Sequence, residues 1–350
     1  MSIVTIIGSG MMGSALAFPA RENGNTVRLV GTPLDKEIIA ACQKTGQHPK
    51  FDRPFPDGVE YFQFEECTEA LKGTDLVICG VSSFGVDWFA ETVLPMLPES
   101  CPVLSVTKGL ICLDDGALIS YPDFWQKKLD ELQKSNELCA IGGPCTSYEL
   151  VAHDPTLVAF CGKNMKTLTA LEAIMSTDYY HVTLSTDVMG IESAVALKNG
   201  YALGVALTIG ENIKRFGNKE LHYNSQAGVF LEATKEMHKL IRYLGGSDES
   251  FYVGVGDLYV TVYGGRTRKV GILLGEGDSL DEALEKLQGV TLESLVVAKR
   301  VAKALRIQAK QEKINLAEFP LLMHVDGILV DNSEEIPWNK FVSNVPRLQK

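Results

Sequence analysis

Short runs of apolar and β-branched residues recur through the first half of the chain, at positions 3–7, 26–30, 59–64, 76–81, 103–106, 138–141 and 156–160. Several are separated by stretches with helical spacing of apolar positions, and alternating strand and helix predicts a mainly parallel, doubly wound sheet. Such a sheet binds ligands at the carboxyl ends of its strands. The pattern changes near Ser185. Ser185-Thr186-Asp187 offers helix caps, and positions 188–210 then carry only Glu192 and Lys198 as charged residues, which predicts a helix apolar nearly all round and therefore buried. A further helical pattern at 227–244 closes on Gly245-Gly246, and the second half reads as mostly α-helical. The expected organisation is an α/β unit over 1–186 and an α-helical unit over 187–350.

An expectation of dinucleotide binding comes from the junction of the first strand with the first helix, Gly8-Ser9-Gly10-Met11-Met12-Gly13. Gly8 permits a tight turn, Gly10 lets backbone approach a pyrophosphate, and Gly13 lets helix and strand pack closely. The helix N-terminus adds amide donors and a partial positive charge. Strand, glycine turn and alanine-rich helix follow in the order this motif requires, so the first half is expected to be an α/β domain of Rossmann type.

A chain of 350 residues exceeds the size at which single cores stop growing, about 250–300 residues, so two domains are expected. The net charge of −11 argues against nucleic acid or an anionic membrane surface as a partner, and any anionic ligand must meet local positive charge. None of the eight cysteines is spaced Cys-x-x-Cys, and most lie in apolar runs; they read as buried thiols of a reducing compartment and not as a disulfide frame or zinc site. The N-terminal segment lacks a basic n-region, and no apolar run reaches the roughly 18 residues of a membrane span, so a cytoplasmic protein without membrane insertion is expected.

Three segments could carry chemistry. Ala194, Val195, Lys198, Ala202, Val205 and Ile209 share a helix face, which sets the Lys198 ammonium among apolar neighbours. A lysine near a helix end would snorkel to water, whereas one in mid-helix is suited to give a proton to an oxygen that becomes negative. Gly254-Val-Gly256-Asp257, Thr261 and Gly264-Gly265-Arg266-Thr267-Arg268-Lys269 promise irregular backbone beside three cations. Charge alone reads there as a solvated basic loop, but arginine beside glycines also suits a bidentate grip on phosphate. At the end of a β-run, Ser105-Val-Thr107-Lys108-Gly109 places a second lysine toward the crevice.

These segments, with Gly143-Pro144 followed by Glu149, the run from Glu192 to Asn199 and Leu287-Gln288-Gly289, resemble the soluble nicotinamide-dependent glycerol-3-phosphate dehydrogenase family, in the family's order over nearly the whole chain. The resemblance implies reversible NAD(P)H-dependent reduction of dihydroxyacetone phosphate to sn-glycerol 3-phosphate. It makes Lys198 the general acid and base, with Lys108 and Asp257 lining the catalytic centre. Asn199, Thr261, Arg266 and Thr267 would hold the substrate. Gly8, Ser9, Gly10, Met11, Met12, Gly13, Thr32, Ser82, Lys108, Ser147, Arg266, Lys286 and Gln288 would lie at the cofactor. A homodimer is expected from the apolar helical half.

Two departures bear on specificity. The family pattern puts Asn after the arginine of Gly-Gly-Arg, where this chain has Thr267, so a different hydroxyketone phosphate or hydroxy acid is an alternative substrate. The second strand ends Gly31-Thr32-Pro33, like archaeal-type members, with no carboxylate until Asp35. An acidic residue at the strand end would favour NAD through the ribose 2′-hydroxyl. NAD and NADP both stay open, with a lean to NADP or dual use. A nicotinamide-binding sensor without catalysis is the rival from another class, since a cradle by itself proves only binding.

Overall fold

The structure, a computed structural model, describes residues 1–218, 222–287, 293–331 and 335–343. Its strands are β1 (Ile3–Ile7), β2 (Thr26–Val30), β3 (Val59–Phe62), β4 (Leu76–Cys79), β5 (Val103–Ser105), β6 (Leu110–Cys112), β7 (Leu118–Ser120), β8 (Leu138–Gly142), β9 (Thr156–Gly162) and β10 (Tyr180–Ser185). The helices of the first half are α1 (Met11–Glu22), α2 (Lys36–Thr45), α3 (Cys67–Ala70), α4 (Val86–Trp88), α5 (Tyr121–Glu131), α6 (Ser147–Val151) and α7 (Met165–Met175). Those of the second are α8 (Val188–Phe216), α9 (Tyr223–Tyr243), α10 (Asp248–Tyr263), α11 (Gly265–Glu276), α12 (Leu280–Lys286), α13 (Glu293–Lys310), α14 (Pro320–Asp331) and α15 (Trp338–Ser343).

Two compact units result, one of Met1–Gly109 with Ser120–Glu192 and one of Leu110–Ile119 with Ser193–Lys350. In the first, eight strands run in the order β10-β9-β8-β5-β4-β1-β2-β3. All neighbours are parallel except β8 and β9. Helices cover both faces, which is why β1 and β4 read as continuous apolar runs: Val4, Ile6 and Ile7 of β1 and all of β4 are buried. Leu16 and Phe18 of α1 and Leu29 of β2 share one core cluster with Val4, Ile6, Leu76 and Ile78. The strand order reverses between β1 and β4, so the turns that leave these two strands flank the crevice where such sheets bind ligands.

β10 escaped the sequence pattern because Tyr-His-Val-Thr-Leu-Ser lies at the sheet edge with only Tyr180 buried, leaving no apolar run to detect. The hairpin β6–β7 escaped it because each strand has three residues. That hairpin belongs to the helical unit, where Arg300 Nη1 of α13 donates to the Leu110 carbonyl at 3.3 Å. The division therefore departs from the expected 1–186 and 187–350: residues 110–119 leave the sheet unit, and the first turn of α8 stays with it through Glu192. A single cut along the chain cannot represent an excursion whose burial partner, α13, lies some 190 positions later.

In the helical unit α8 is the central element, with Ala194 to Lys198 and Tyr201 to Ile209 all buried. Asp187 caps it, accepting the Gly190 N–H at 2.9 Å. The helix continues past Gly210 because that glycine is a contact point: a Cβ there would lie 2.0 Å from the Ile272 carbonyl oxygen, and one on Gly275 2.2 Å from that of Leu207. The backbones of α8 and α11 thus touch along the C-terminal half of α11.

Candidate active site

In the sheet unit, Gly8 takes φ +108°, and a Cβ on it would stand 2.8 Å from the Gly80 carbonyl carbon. A Cβ on Gly13 would stand 2.2 Å from the Gly8 oxygen. Gly10 is different in kind, because a Cβ there would meet nothing nearer than the Gly80 oxygen at 3.9 Å. Its freedom from a side chain leaves space on the ligand side of the loop. Helix α1 starts at Met11 with Gly10 as its cap, no side chain bonds its first amides, and no acidic residue sits in its first turn. Open amides, the helix dipole and a clear approach fit a dinucleotide pyrophosphate.

Sequence reasoning missed Gly80. It follows β4 as Gly8 follows β1, its N–H donates to the Ile7 carbonyl at 2.8 Å, and a Cβ on it would lie 2.8 Å from the Gly8 oxygen and 2.9 Å from Gly13 Cα. The available signal was a glycine directly after the second parallel strand of the switch point. Ser82 follows two residues later, exposed, and opens a short turn. Thr32 is half-buried after β2, its hydroxyl donating to Asp35 Oδ2 at 2.7 Å. Ser147 is half-buried at the first position of α6.

Lys108 leaves the end of β5 and donates from Nζ to the Gly143 carbonyl at 3.2 Å. The same unit holds a carboxyl to which the sequence gave no role. Glu192 is fully buried, and neither of its oxygens has a hydrogen-bond partner among the described residues. Burial pushes its pKa up to about 8, with the Lys108 cation opposing and Asp123 adding to the rise.

In the helical unit, the Lys198 ammonium of α8 pairs with Asp257 Oδ1 of α10. The lysine side chain is 10% exposed and the aspartate 0%. Two buried charges that meet directly offset each other's desolvation, and removing one leaves the other stranded. Thr261, one turn after Asp257, donates its hydroxyl to the Asp257 carbonyl at 2.7 Å and is half-buried. Asn199 is half-buried beside Lys198.

The glycine-rich stretch is more regular than expected. Gly254 and Gly256 lie inside α10, and the break comes only at Gly264, where α10 ends and α11 begins. Gly265 takes φ +83°. Arg266 and Thr267 therefore occupy the first turn of α11, the first exposed and the second buried, so the guanidinium stands at a positive helix end. Arg268 Nη1 is engaged by the Val262 carbonyl at 3.0 Å, which separates it from Arg266 as an anion ligand. Lys286 is exposed and paired with Asp278 at 2.6 Å. Gln288 lies outside the described residues.

Comparison with known proteins agrees over both units. Residues 3–168 match the profile of the NAD-dependent glycerol-3-phosphate dehydrogenase N-terminus and residues 187–336 that of its C-terminus. The chain is 35% identical over 310 residues to an NADP(+)-dependent glycerol-3-phosphate dehydrogenase of Archaeoglobus fulgidus, covering 88% of this chain and 90% of the relative. It is 26% identical to a glycerol-3-phosphate dehydrogenase [NAD(P)+] of Clostridium botulinum, covering 85% and 86%. Among solved structures, glycerol-3-phosphate dehydrogenase from Coxiella burnetii shares the fold with a TM-score of 0.79 at 22% identity, covering 98% of each chain.

Proposed function

Because the chain belongs to the NAD-dependent glycerol-3-phosphate dehydrogenase family, we propose that it reversibly reduces dihydroxyacetone phosphate to sn-glycerol 3-phosphate with a nicotinamide cofactor. The observation that carries the catalytic reading is the buried pair of Lys198 and Asp257. When bound, NAD(P)H supplies the hydride to the C2 carbonyl. Lys198 stabilises the negative charge that grows on the carbonyl oxygen and delivers a proton to it from Nζ; in the reverse direction the amine takes that proton. Asp257 orients the ammonium and pairs its charge, and Lys108 contributes a second cation. Arg266 and the first amides of α11, with Thr261, Thr267 and Asn199, grip the substrate phosphate, and this remote binding positions the carbonyl. The glycine loop, Thr32, Ser82 and Ser147 hold the cofactor.

Use of both nicotinamides, with a lean to NADP, is supported by the lack of a carboxylate at the end of β2 before Asp35 and by the NADP(+) dependence of the Archaeoglobus relative. A second reading, a related hydroxyketone phosphate as substrate, is favoured by Thr267. A cytoplasmic enzyme without a nucleic-acid partner fits the net charge of −11, and no helix among the described residues is long and apolar enough to cross a membrane. A homodimer is supported by exposed Tyr223, Tyr259 and Tyr263 on the helical unit, and light scattering after size exclusion tests it. The activity is tested by following NADH and NADPH oxidation with dihydroxyacetone phosphate and four-carbon ketose phosphates. No turnover of any ketone phosphate with either nicotinamide refutes the proposal.

A further inference from the structure

Ser9, the residue between the first two glycines of the loop, has both of its backbone groups held by side chains. Its N–H donates to Asp35 Oδ2 at 3.3 Å, and the same oxygen accepts the Thr32 N–H at 2.8 Å and the Thr32 hydroxyl at 2.7 Å. Its carbonyl lies 3.2 Å from His48 Nε2 and accepts the Ser14 hydroxyl at 3.1 Å. The Lys50 N–H donates to His48 Nδ1 at 3.1 Å, so Nδ1 presents the lone pair and Nε2 carries the hydrogen that it donates to Ser9. The ring is 1% exposed and packs on Phe51 with centroids 4.6 Å apart.

The Ser9 N–H belongs to the peptide plane it shares with Gly8, and its carbonyl to the plane it shares with Gly10. Two consecutive planes are thus fixed by residues 26 and 39 positions away. Glycine on either side leaves these planes wide conformational freedom, and ordering them on binding would oppose cofactor affinity. The glycine motif does not by itself supply this restraint.

We infer that His48 and Asp35 are positioning residues that lock the Ser9 peptides in the shape that presents the α1 amides to a dinucleotide phosphate, and that the Asp35 carboxylate serves the loop instead of reading the adenosine ribose. The inference rests on the dinucleotide-binding reading of the loop. It also explains how a carboxylate close behind β2 is compatible with NADP, because Oδ2 is already taken by three protein donors. Burial holds the His48 pKa below its ordinary value, the Ser9 carbonyl opposing, Lys50 lowering and Asp35 raising it. The ring is therefore neutral when the lock is closed, and a proton on Nδ1 would face the Lys50 N–H.

The test is titration of the whole protein with NADH and with NADPH by nucleotide fluorescence, for the native chain and for His48→Ala, His48→Gln, Asp35→Ala and Asp35→Asn. His48→Ala and Asp35→Ala are expected to raise Kd about tenfold for both nicotinamides alike, the effect of losing one net hydrogen bond or more. His48→Gln, which retains a donor, recovers part of that loss. In steady state the effect falls on KM for the nicotinamide far more than on kcat. Should the alanine variants fail to fold, the native protein decides: its Kd for both nicotinamides is expected to stay level as pH falls to about 6.5 and to rise only below that. A native Kd that already rises above pH 6.5, or unchanged affinity in folded variants, overturns the inference. Selective tightening of NADPH binding by Asp35→Ala overturns its second part, since the carboxylate would then be reading the ribose. If the native protein binds neither nicotinamide, the dinucleotide reading itself fails, independently of the variants.

Discussion

Gly254 on α10 rests against Ala194 on α8, one turn before the place where Asp257 meets Lys198. A Cβ on Gly254 would stand 2.7 Å from the Ala194 Cβ and 3.2 Å from Met237 Cε. The close approach of the two helices is what brings a carboxylate carried by one to an ammonium carried by the other. Gly254→Ala must push the helices apart at this point and pull Asp257 from Lys198. The expected result is a fall in kcat on the order of 10²-fold, the cost of a displacement near 1 Å at a reacting centre, with little change in nicotinamide affinity. Steady-state kinetics and a cofactor titration on the same preparation check it.

Lys198→Ala removes the proton donor and takes the ammonium away from the buried Asp257 carboxylate. Turnover should drop roughly 10²–10⁴-fold, the typical worth of a general acid. Stability should fall by about 3–5 kcal/mol from breaking a buried ion pair by removing one member. Lys198→Met combined with Asp257→Leu separates the two effects, because it restores the melting temperature while leaving the enzyme inactive. A folded Lys198→Ala protein with near-native kcat would remove this residue from the mechanism.

Gly80 has no room for a side chain, since its Cβ would collide with both ends of the glycine loop. Gly80→Ala is therefore expected to abolish tight binding of NADH and NADPH together. The lysine–aspartate pair lies in the other unit and should be untouched. Calorimetric titration with each nicotinamide reads the first effect, and circular dichroism confirms that the variant is folded.

Two buried carboxyls make stability depend on pH. Burial raises Glu192 to about 8 and Glu236 to about 8, the latter against the opposing pull of the Leu321 and Leu322 amides that donate to it at 2.6 and 3.0 Å. The folded protein thus keeps protons that the unfolded chain releases above the ordinary glutamate value. Stability is greatest below about pH 4.5 as far as these two groups are concerned and falls as pH rises toward 8, by at most about 1.4 kcal/mol per pH unit for each group. Melting temperatures from pH 5 to 9 should decline less steeply in Glu192→Gln and Glu236→Gln than in the native protein. An equal slope in all three proteins would contradict the assignment.

The sheet, the glycine cradle and the central helix were legible because each repeats a local signal. β1 and β4 are covered on both faces and read as apolar runs, and α8 carries two charges in its first 23 positions. The face of α8 that carries Lys198 signals its burial, but nothing in the spacing within α8 reveals that Asp257 pairs with it across 59 positions. Gly254 and Gly256 were misread as irregular backbone because glycine reports close approach and turning with the same letter; here the approach is of one helix to another. His48 and Asp35 carry no motif at all, and their relation to Ser9 exists only after β2 has paired with β1.

Thr267 offers a test of substrate choice. It is buried in the first turn of α11, whereas Arg266 beside it is exposed and can reach a phosphate. Arg266→Ala removes the charged grip and should raise KM for any ketone phosphate by about 10–10²-fold, the range for one charge-assisted hydrogen bond lost, with a small effect on nicotinamide affinity. Thr267→Asn introduces a longer amide into a site with little spare volume. If the threonine enlarges the pocket for a longer hydroxyketone phosphate, Asn at this position should lower kcat/KM for four-carbon substrates and leave that for dihydroxyacetone phosphate level or improved. Equal losses on both substrates would mean that the position controls packing of the α11 turn and not the choice of ligand. Parallel kinetics on the two substrate lengths distinguish these outcomes.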